Sequence, residues 1–350
     1  MEAWITGVFE QVPLVVLFLI IGASLAVLVK GADILVDQAV SLSVRWGVPK
    51  MLIGATIVSV GTTLPEAAVS VVAAIQGSPG LALGNAVGSI IADTGLILGM
   101  AVLIGTVPVD NKLVSRQSWI QVASAAILIL ASIPYFGLRG IFTDGGRLPQ
   151  LAGAAFLVLL CLYIWRSISW SKSAPPDSVD SSTVTIDKHT RPVIAIIALL
   201  LGILMVVIGS RVLIPAVKEA ALRLQIPDAI IAATLVAFGT SLPELVTAIT
   251  AVRKGHGELA LGNVLGADVL NVLFVSGASA AVTRGGLDVP PQFFYLFFPS
   301  MIFVVIVLRI GISKTKRRFS KAFGVILLVA YVLTVVMGYI VPGASSQALH

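Results

Sequence analysis

The sequence predicts an all-α polytopic membrane protein, in which ten transmembrane helices form two five-helix repeats of inverted topology. Three observations support this prediction: a low content of charged residues, ten long apolar stretches and an internal repeat. Of the 350 residues, 57% are hydrophobic and only 11% are charged, whereas a typical soluble domain has about 25% charged residues. So little polar surface argues against soluble enzymes, nucleic-acid binders and disordered adaptors.

The apolar stretches have the length that a membrane requires. A transmembrane helix needs about 20 predominantly apolar residues. The predicted spans are 12–36, 48–75, 80–105, 117–136, 149–168, 192–214, 228–252, 258–282, 291–311 and 321–341. The first stretch is not expected to be a cleavable signal peptide, because acidic residues precede it and no small-residue cleavage site follows it.

Basic residues are unevenly distributed among the loops. Loops that follow odd-numbered spans contain most of the Lys and Arg residues, including the basic run at 314–321. Short basic loops face the cytoplasm, so we expect a multi-pass protein of the cell membrane with both termini outside the cytoplasm. A polar linker at 171–191 separates residues 1–170, the first predicted five-helix unit, from residues 192–350, the second.

An internal repeat relates the two halves. The sequence Gly-Thr-Thr-Leu-Pro-Glu at 61–66 recurs 178 residues later as Gly-Thr-Ser-Leu-Pro-Glu at 239–244, and the same offset relates segments 31–106 and 209–284 without a gap from Gly31 to Gly99. Because each unit contains five spans, the second unit crosses the membrane in the opposite direction. Inverted repeats are typical of secondary transporters, whose substrate site lies near the middle of the membrane.

The repeated motif places polar groups on one helix face. Ser59, Thr62, Thr63 and Glu66 follow the i, i+3, i+4, i+7 spacing of a helical stripe. An ionisable residue at bilayer depth costs about 2.5–3.5 kcal/mol, so this stripe is expected to face a cavity or a partner. The corresponding residues of the second half are Ala237, Thr240, Ser241 and Glu244.

A proline precedes each glutamate of the motif. Pro65 and Pro243 are expected to kink their helices and to free the carbonyls of Gly61 and Gly239. Carboxylates, hydroxyls and carbonyls form an oxygen-only set of the kind that Ca²⁺ binds with 6–8 ligands. The spans lack a cluster of thiolate or imidazole groups, which argues against zinc and copper.

The third and eighth spans add a second polar pair. Ser89 and Asp93 lie at i and i+4, and Ala267 and Asn271 are their counterparts. Asp93 and the two glutamates provide up to three carboxylates, which cannot all stay ionised without cations. Alternate occupancy by one divalent ion or several monovalent ions or protons predicts an antiporter. Asp268 lies on a different face from Asn271, and the sequence leaves open whether it lines the ion path or pairs with an arginine.

Glycines and the first span complete the pattern. Gly84, Gly88, Gly95 and Gly99 are expected to allow close helix packing in the third span, and packing is also the preferred interpretation of Gly31, Gly209 and Gly277. Lys30, Asp33 and Asp37 occupy the end of the first span, where Lys30 is expected to reach towards the interface or to pair along the helix. The first and sixth spans carry none of the candidate ligands, so we expect them to slide as a pair against the others.

These motifs resemble the α-repeats of the calcium/cation antiporter superfamily, in particular its prokaryotic sodium/calcium exchanger branch. The resemblance implies Na⁺-driven Ca²⁺ exchange by alternating access, with Glu66 and Glu244 as shared ligands. It further implies that side chains or backbone carbonyls of these residues bind the ions: Ser59, Thr62, Thr63, Ala237, Thr240, Ser241, Ser89, Asp93 and Asn271. No cofactor, nucleic acid or protein partner is expected, only the lipid bilayer and the transported Ca²⁺ and Na⁺.

The sequence departs from the family pattern at two places. The Ser-Asn pair of the family appears as Ser89-Ile90 and as Ala267-Asp268, and the carboxylate and amide of Asp93 and Asn271 have exchanged sides. Proton-coupled or K⁺-dependent exchange of a divalent cation therefore remains an alternative, and a cation channel is a further one. An enzyme is not expected, because the spans lack the motifs of intramembrane proteases.

Overall fold

The structure is a computed structural model that describes residues 8–109, 112–134, 140–172, 192–224, 240–315 and 317–340. Its helices, numbered in chain order, are α1 (Leu14–Trp46), α2 (Lys50–Ile75), α3 (Pro79–Ile104), α4 (Lys112–Ser132), α5 (Gln150–Lys172), α6 (Pro192–Arg223), α7 (Leu242–Arg253), α8 (Gly257–Val282), α9 (Phe293–Lys314) and α10 (Lys321–Ile340). Nine of these described helices are long and apolar enough to cross a membrane; α7 is the shorter one. The first half of the predicted seventh span and nearly all of the 171–191 linker lie outside the described residues.

Two predicted helices extend beyond their apolar stretches. Helix α1 continues past residue 36 to Trp46 and ends at Gly47, which has a φ of 64°. This left-handed conformation suits glycine and terminates the helix. The extension remains amphipathic, because Leu35, Ala39 and Leu42 are buried whereas Asp37 is exposed. Hydropathy alone therefore underestimates the length of α1, and it underestimates the length of α6 in the same way.

A short antiparallel sheet was not predicted. Strand β1 (Gly146–Leu148) precedes α5, and strand β2 (Leu287–Val289) follows α8. Arg147 pairs with Asp288 in the register of the sheet, and their side chains form an exposed ion pair of 3.4 Å. The sheet ties together the ends of helices from both halves of the chain.

Helices α3 and α8 form the centre of the molecule. In α8, 94% of the most apolar window is buried inside the protein, and in α3 78%, whereas the value for α1 is only 22%. The outward faces of α1, α5, α6 and α10 expose many large apolar side chains, among them Leu19, Leu162, Leu200 and Leu333. An apolar exterior around a polar-lined centre is the arrangement expected within a lipid bilayer.

Glycines bring selected helix pairs into close contact. A Cβ atom on Gly31 of α1 would lie 2.7 Å from the Cβ of Met205 in α6, and one on Gly209 of α6 would lie 3.0 Å from the Cβ of Leu28. Gly99 and Gly277 approach α10 and α5 in the same way. These contacts confirm the packing interpretation of those four glycines.

The prediction of close packing holds for only part of the third span. A Cβ on Gly95 would lie 3.0 Å from the Cβ of Tyr331, but a Cβ on Gly84 would meet its nearest atom only at 3.9 Å, and Gly88 has open space beside it. Gly266, the repeat counterpart of Gly88, does lie against α2, because a Cβ added to it would come 2.5 Å from the carbonyl oxygen of Ala55. The two halves are therefore packed differently at this position.

Contacts between loops join distant parts of the chain at the two ends of the bundle. Near the start of α1, the carbonyl oxygens of Phe9 and Val12 accept hydrogen bonds from Arg223 at the end of α6. After the end of α3, Pro108 forms an isolated antiparallel β-bridge with Arg318, which follows α9. After α7, Lys254 pairs with Asp33 at 3.1 Å and with Asp37 at 2.8 Å in the C-terminal part of α1. Lys30 itself is exposed. Within the described residues, these two carboxylates pair with Lys254 and not with Lys30.

We expect Gly31→Ala to destabilise the protein by about 1–3 kcal/mol, the usual effect of overpacking a close contact. The added methyl would push α1 away from α6. Gly22→Ala provides the matched control, because Gly22 lies in the same helix with nothing within 4 Å of its Cβ position. Thermal unfolding in detergent should show a lower Tm for Gly31→Ala only. Gly22→Ala should not lower the Tm, because it creates no close contact and alanine has a higher helix propensity than glycine. Equal Tm values for both variants would contradict the packing described here.

Candidate cation-binding site

The polar stripe of α2 faces the protein interior. Ser59 and Thr62 are 0% exposed, and Thr63 and Glu66 are 1% exposed, whereas the neighbouring Leu64 is 50% exposed. The hydroxyl of Thr62 donates towards the carbonyl oxygens of Val58 and Ser59, at 3.2 and 3.4 Å. Pro65 lies inside α2, as the sequence predicts. The helical stripe is thus formed and turned away from the lipid.

The second copy of the motif has a different backbone. Helix α7 begins at Leu242, so Pro243 and Glu244 belong to its first turn and Ser241 precedes it. Pro243 therefore lies in the first turn of α7, where a proline removes no helical hydrogen bond. Gly239, whose carbonyl Pro243 is expected to free, lies outside the described residues. Glu244 is 1% exposed and Ser241 is 4% exposed, whereas Thr240 is half-buried. Ala237 lies outside the described residues.

Each half supplies hydroxyl groups to a carboxylate of the other half. The hydroxyls of Thr62 and Thr63 lie beside the Glu244 carboxylate. The hydroxyl of Ser241 lies beside the Asp93 carboxylate. The carboxylates of Glu66 and Glu244 are also within electrostatic range of each other. The two copies of the motif, far apart in sequence, therefore meet in one region.

The ligand candidates of α3 and α8 lie in π-helical turns. Asp93 belongs to the turn Ala92–Ile97, and Asn271 begins the turn Asn271–Ser276. The hydroxyl of Ser276 donates a 3.0 Å hydrogen bond to the carbonyl oxygen of Asn271. Such turns widen a helix by one residue and are frequent at functional sites. Hydrophobic periodicity gave no signal for them.

Many oxygen atoms of this region have no hydrogen-bond partner of normal geometry. Buried polar atoms without a partner are uncommon and cost about 1–3 kcal/mol each. Within the described residues, the atoms of the predicted ligands in this state are Thr63 Oγ1, Glu66 Oε2, Ser89 Oγ, Asp93 Oδ1 and Oδ2, Glu244 Oε2 and Asn271 Oδ1. The site is therefore rich in oxygen acceptors that lack donors, which is the chemistry that a bound cation satisfies.

Carboxylates alone do not complete this site. In the described part of the chain, no three Asp, Glu, His or Cys side chains come together closely enough to hold a metal ion by themselves. A cation here would draw part of its coordination from hydroxyl, amide and backbone oxygens. Oxygen ligands of mixed type are usual for hard cations such as Ca²⁺.

One basic residue near the site was missed by the sequence analysis. Arg211 of α6 donates a 3.1 Å hydrogen bond to the carbonyl oxygen of Pro65, next to Glu66. Its position in an apolar span, two residues after Gly209, was the available signal, since a charge at membrane depth needs a partner. Arg211 thus connects α6 to α2, which carries the candidate ligands Thr62, Thr63 and Glu66.

Asp268 lies in a separate polar cluster. Its Oδ2 atom accepts a hydrogen bond of 2.5 Å from the hydroxyl of Thr94 and another from the amide of Gln121 in α4. Among the ion pairs of the described residues, none involves Asp268. The alternative that it pairs with an arginine is therefore not realised, and the partners are neutral side chains.

Comparisons with known proteins agree with this architecture. The profile of a family described as "Sodium/calcium exchanger protein" matches residues 16–169 and 194–340, one segment in each half. A sodium/calcium exchanger of Methanosarcina acetivorans, MaX1, is 31% identical over 348 residues, which cover 92% of this chain and 99% of that protein. A putative antiporter of Alkalimonas amylolytica, CaxA, is 30% identical over 321 residues, covering 90% and 96% of the two chains.

A solved structure has the same fold. The sodium-calcium exchanger NCX_Mj, soaked with Na⁺ and Sr²⁺, superposes with a TM-score of 0.74 at 24% identity, covering 93% of this chain and 99% of that one. At this identity the likeness concerns the fold. It supports the helical membrane architecture derived above.

We expect Ca²⁺ to raise the Tm of the purified protein, because binding to the native state alone stabilises it by about 2.7 kcal/mol at 100 times Kd. Glu66→Gln and Glu244→Gln should each abolish this rise, since either change removes one of the two facing carboxylates. Asp288→Asn is the matched control, because its side chain is 73% exposed in the β1–β2 ion pair. A Ca²⁺-dependent Tm rise that survives in both glutamate variants would contradict the site.

Proposed function

The chain belongs to the sodium/calcium exchanger family and is a multi-pass membrane protein, and from this premise we propose that it exchanges Ca²⁺ for Na⁺ by alternating access. The observation that carries the proposal is the set of buried, unpartnered oxygens contributed by both halves around Glu66 and Glu244. Six to eight oxygen ligands suit Ca²⁺. The relatives MaX1 and CaxA are named as an exchanger and a putative antiporter, which supports transport rather than enzymatic activity.

Charge compensation explains why such a site exchanges ions. Removing a carboxylate from water without a partner of opposite charge costs several kcal/mol of free energy. An empty site therefore resists occlusion, whereas a site holding Ca²⁺ or a set of Na⁺ ions can close and reopen on the other side. Because both cargoes use the same oxygens, loading one requires release of the other, and the fluxes are coupled.

Loop contacts support ten spans in two inverted units, residues 1–170 and 192–350. The β1–β2 sheet places the segment after α4 at the same end of the bundle as the segment after α8. The Lys254 contacts likewise place the segment after α7 beside the end of α1. Both contacts require an even number of membrane crossings between the joined segments, and this number is even only if the chain crosses once between α6 and α8. The basic loops then lie in the cytoplasm and both termini outside it.

Helices α1 and α6 are the candidate moving pair. The backbones meet at Gly31 and Gly202, where a Cβ on the latter would lie 2.8 Å from the amide nitrogen of Leu35. Polar contacts of Lys254 and Arg211 hold this pair against the ligand-bearing helices. Partial burial lowers the pKa of Lys254, but hydrogen bonds and charge attraction from Asp37 and Asp33 outweigh it and raise the pKa above its usual value. The Lys254 ammonium therefore keeps its charge at neutral pH and holds this contact until the moving pair slides.

In proteoliposomes loaded with Na⁺, we expect ⁴⁵Ca²⁺ uptake that ceases in Glu66→Gln and in Glu244→Gln, because either change halves the facing negative charge. The Na⁺, K⁺ and pH gradients are varied independently. Uptake driven by a pH gradient without Na⁺ would favour proton coupling, and a requirement for K⁺ would favour the K⁺-dependent alternative. Flux without any opposing gradient would indicate a channel and contradict exchange.

A reducible bifunctional methanethiosulfonate crosslink between Asp37→Cys and Lys254→Cys should stop most exchange, because it fixes α1 to the segment after α7. A crosslinker is needed because the contact between these positions runs through the long lysine side chain, and a direct disulfide requires Cα atoms within about 7 Å. The native Cys161 is exposed, so the pair is introduced into Cys161→Ser. Cysteines at positions 28 and 209 form the control, since they join α1 to α6 within the moving pair and should leave turnover intact. Reduction should restore the first variant. Full turnover with the 37–254 crosslink formed would rule out sliding of α1 against α7.

A further inference from the structure

The Asp268 cluster is built from three helices and lies beside the candidate site. Asp268 of α8 is 1% exposed, Thr94 of α3 is 0% exposed and Gln121 of α4 is 2% exposed. The amide of Gln121 donates to the Asp268 carboxylate and, at 2.9 Å, to the hydroxyl of Thr94. Helix α4 carries none of the ligands predicted from the sequence, so this cluster is a second polar centre in the interior.

Oxygen acceptors exceed donors in this cluster. Asp268 Oδ1 and Gln121 Oε1 are both buried without a hydrogen-bond partner. Asp93, next to Thr94 in the chain, adds two further unpartnered oxygens and lies within electrostatic range of Asp268. The donors that reach Asp268 are a hydroxyl and an amide, both neutral. Such a cluster is incomplete as a hydrogen-bond network and has the composition of a cation site.

The cluster has no copy at the positions related to it by the repeat. The residue corresponding to Asp268 is Ile90, and the residue corresponding to Thr94 is Val272. Both counterparts are apolar, so a packed interior at this depth does not require polar groups here. Burying the Asp268 carboxylate costs free energy that packing does not require. This indicates a role for Asp268 beyond that of the repeated Glu66–Glu244 motif.

We propose that Asp268, Gln121 and Asp93 form an additional Na⁺ site beside the Glu66–Glu244 region. The two carboxylates and one amide offer fewer oxygens than the 6–8 that Ca²⁺ takes. One added carboxylate balances one added monovalent charge. Thr94 is a positioning residue, because its hydroxyl holds the Asp268 carboxylate through Oδ2 and leaves Oδ1 for the ion. This proposal rests on the proposed Na⁺/Ca²⁺ exchange.

Sharing of Asp93 couples the additional site to the other ions. A Na⁺ ion beside Asp268 would reduce the repulsion between Asp93 and its neighbouring carboxylates, and so favour binding of further Na⁺. Ca²⁺ bound between Glu66 and Glu244 gains no comparable ligand from Asp268. The additional site thus strengthens the dependence on Na⁺ without being required for binding of Ca²⁺.

The test compares Na⁺-dependent ⁴⁵Ca²⁺ uptake of the wild type and Asp268→Asn in proteoliposomes. We expect the Hill coefficient for Na⁺ to fall by about one, since it is bounded by the number of coupled sites. The half-saturating Na⁺ concentration should rise about fivefold or more, a modest loss on the scale where 1.4 kcal/mol is tenfold. Ca²⁺/Ca²⁺ exchange in Na⁺-free medium should persist, and its persistence would show that the Glu66–Glu244 region is intact. Asp288→Asn, the same change at an exposed position, should alter none of these values.

Direct binding provides a readout independent of transport. In Ca²⁺-free detergent, Na⁺ should raise the Tm of the wild type more than that of Asp268→Asn. Should Asp268→Asn fail to fold, Thr94→Val replaces it and should weaken the response to Na⁺, and Thr94→Ser should restore the response by retaining the hydroxyl.

An unchanged Na⁺ dependence and Tm response in Asp268→Asn would overturn the inference. The same holds if only the pH dependence of uptake changes, because the cluster would then hold a proton. Absence of Na⁺-dependent uptake in the wild type would instead overturn the proposed exchange. In that case the Na⁺-induced Tm rise still decides whether the Asp268 cluster binds Na⁺.

Discussion

The whole structure depends on one constraint: carboxylates buried among apolar helices need positive charge that water does not supply. Glu66, Glu244, Asp93 and Asp268 are each 1% exposed, and the described residues around them offer mostly neutral hydroxyls and amides. Mobile cations are the natural source of the missing charge. The need to bring oxygens from both halves together explains why α3 and α8 occupy the centre and why the purely apolar faces lie outside.

Glycine packing is the means by which this centre is assembled. Helices whose backbones approach each other leave no room for side chains at the contact, so small residues determine which helices become neighbours. Gly262 and Gly266 bring α8 against α2, and Gly99 and Gly277 bring α10 and α5 against the two central helices. The helices that carry the proposed ligands thereby pack closely against their neighbours, whereas α1 and α6 make their closest contacts with each other.

Much of this arrangement follows from sequence patterns that have a direct physical meaning. Apolar length predicts the spans, and the i, i+3, i+4, i+7 stripe predicts that Ser59, Thr62, Thr63 and Glu66 turn inward. Other features depend on tertiary contacts that periodicity does not encode. The π-helical turns at Asp93 and Asn271 leave the apolar pattern unchanged, and the β1–β2 sheet is too short to show alternation. The start of α7 at Leu242 is another such feature, because it places Pro243 in a first turn, where a proline is favourable, rather than in a helix interior, where it is disruptive.

The unequal surroundings of the two motif copies have an energetic consequence for the proposed transport cycle. Two identical inverted repeats would make the inward-open and outward-open conformations mirror images with equal free energies. Here Glu66 lies inside a continuous helix whereas Glu244 lies in a first turn, and Asp268 has an apolar counterpart in Ile90. In the proposed cycle, each such difference would give the unloaded protein a preferred resting conformation, and ~1.4 kcal/mol is enough for a tenfold preference. Under the proposed exchange, divergence between the repeats would set which side of the membrane the resting protein faces.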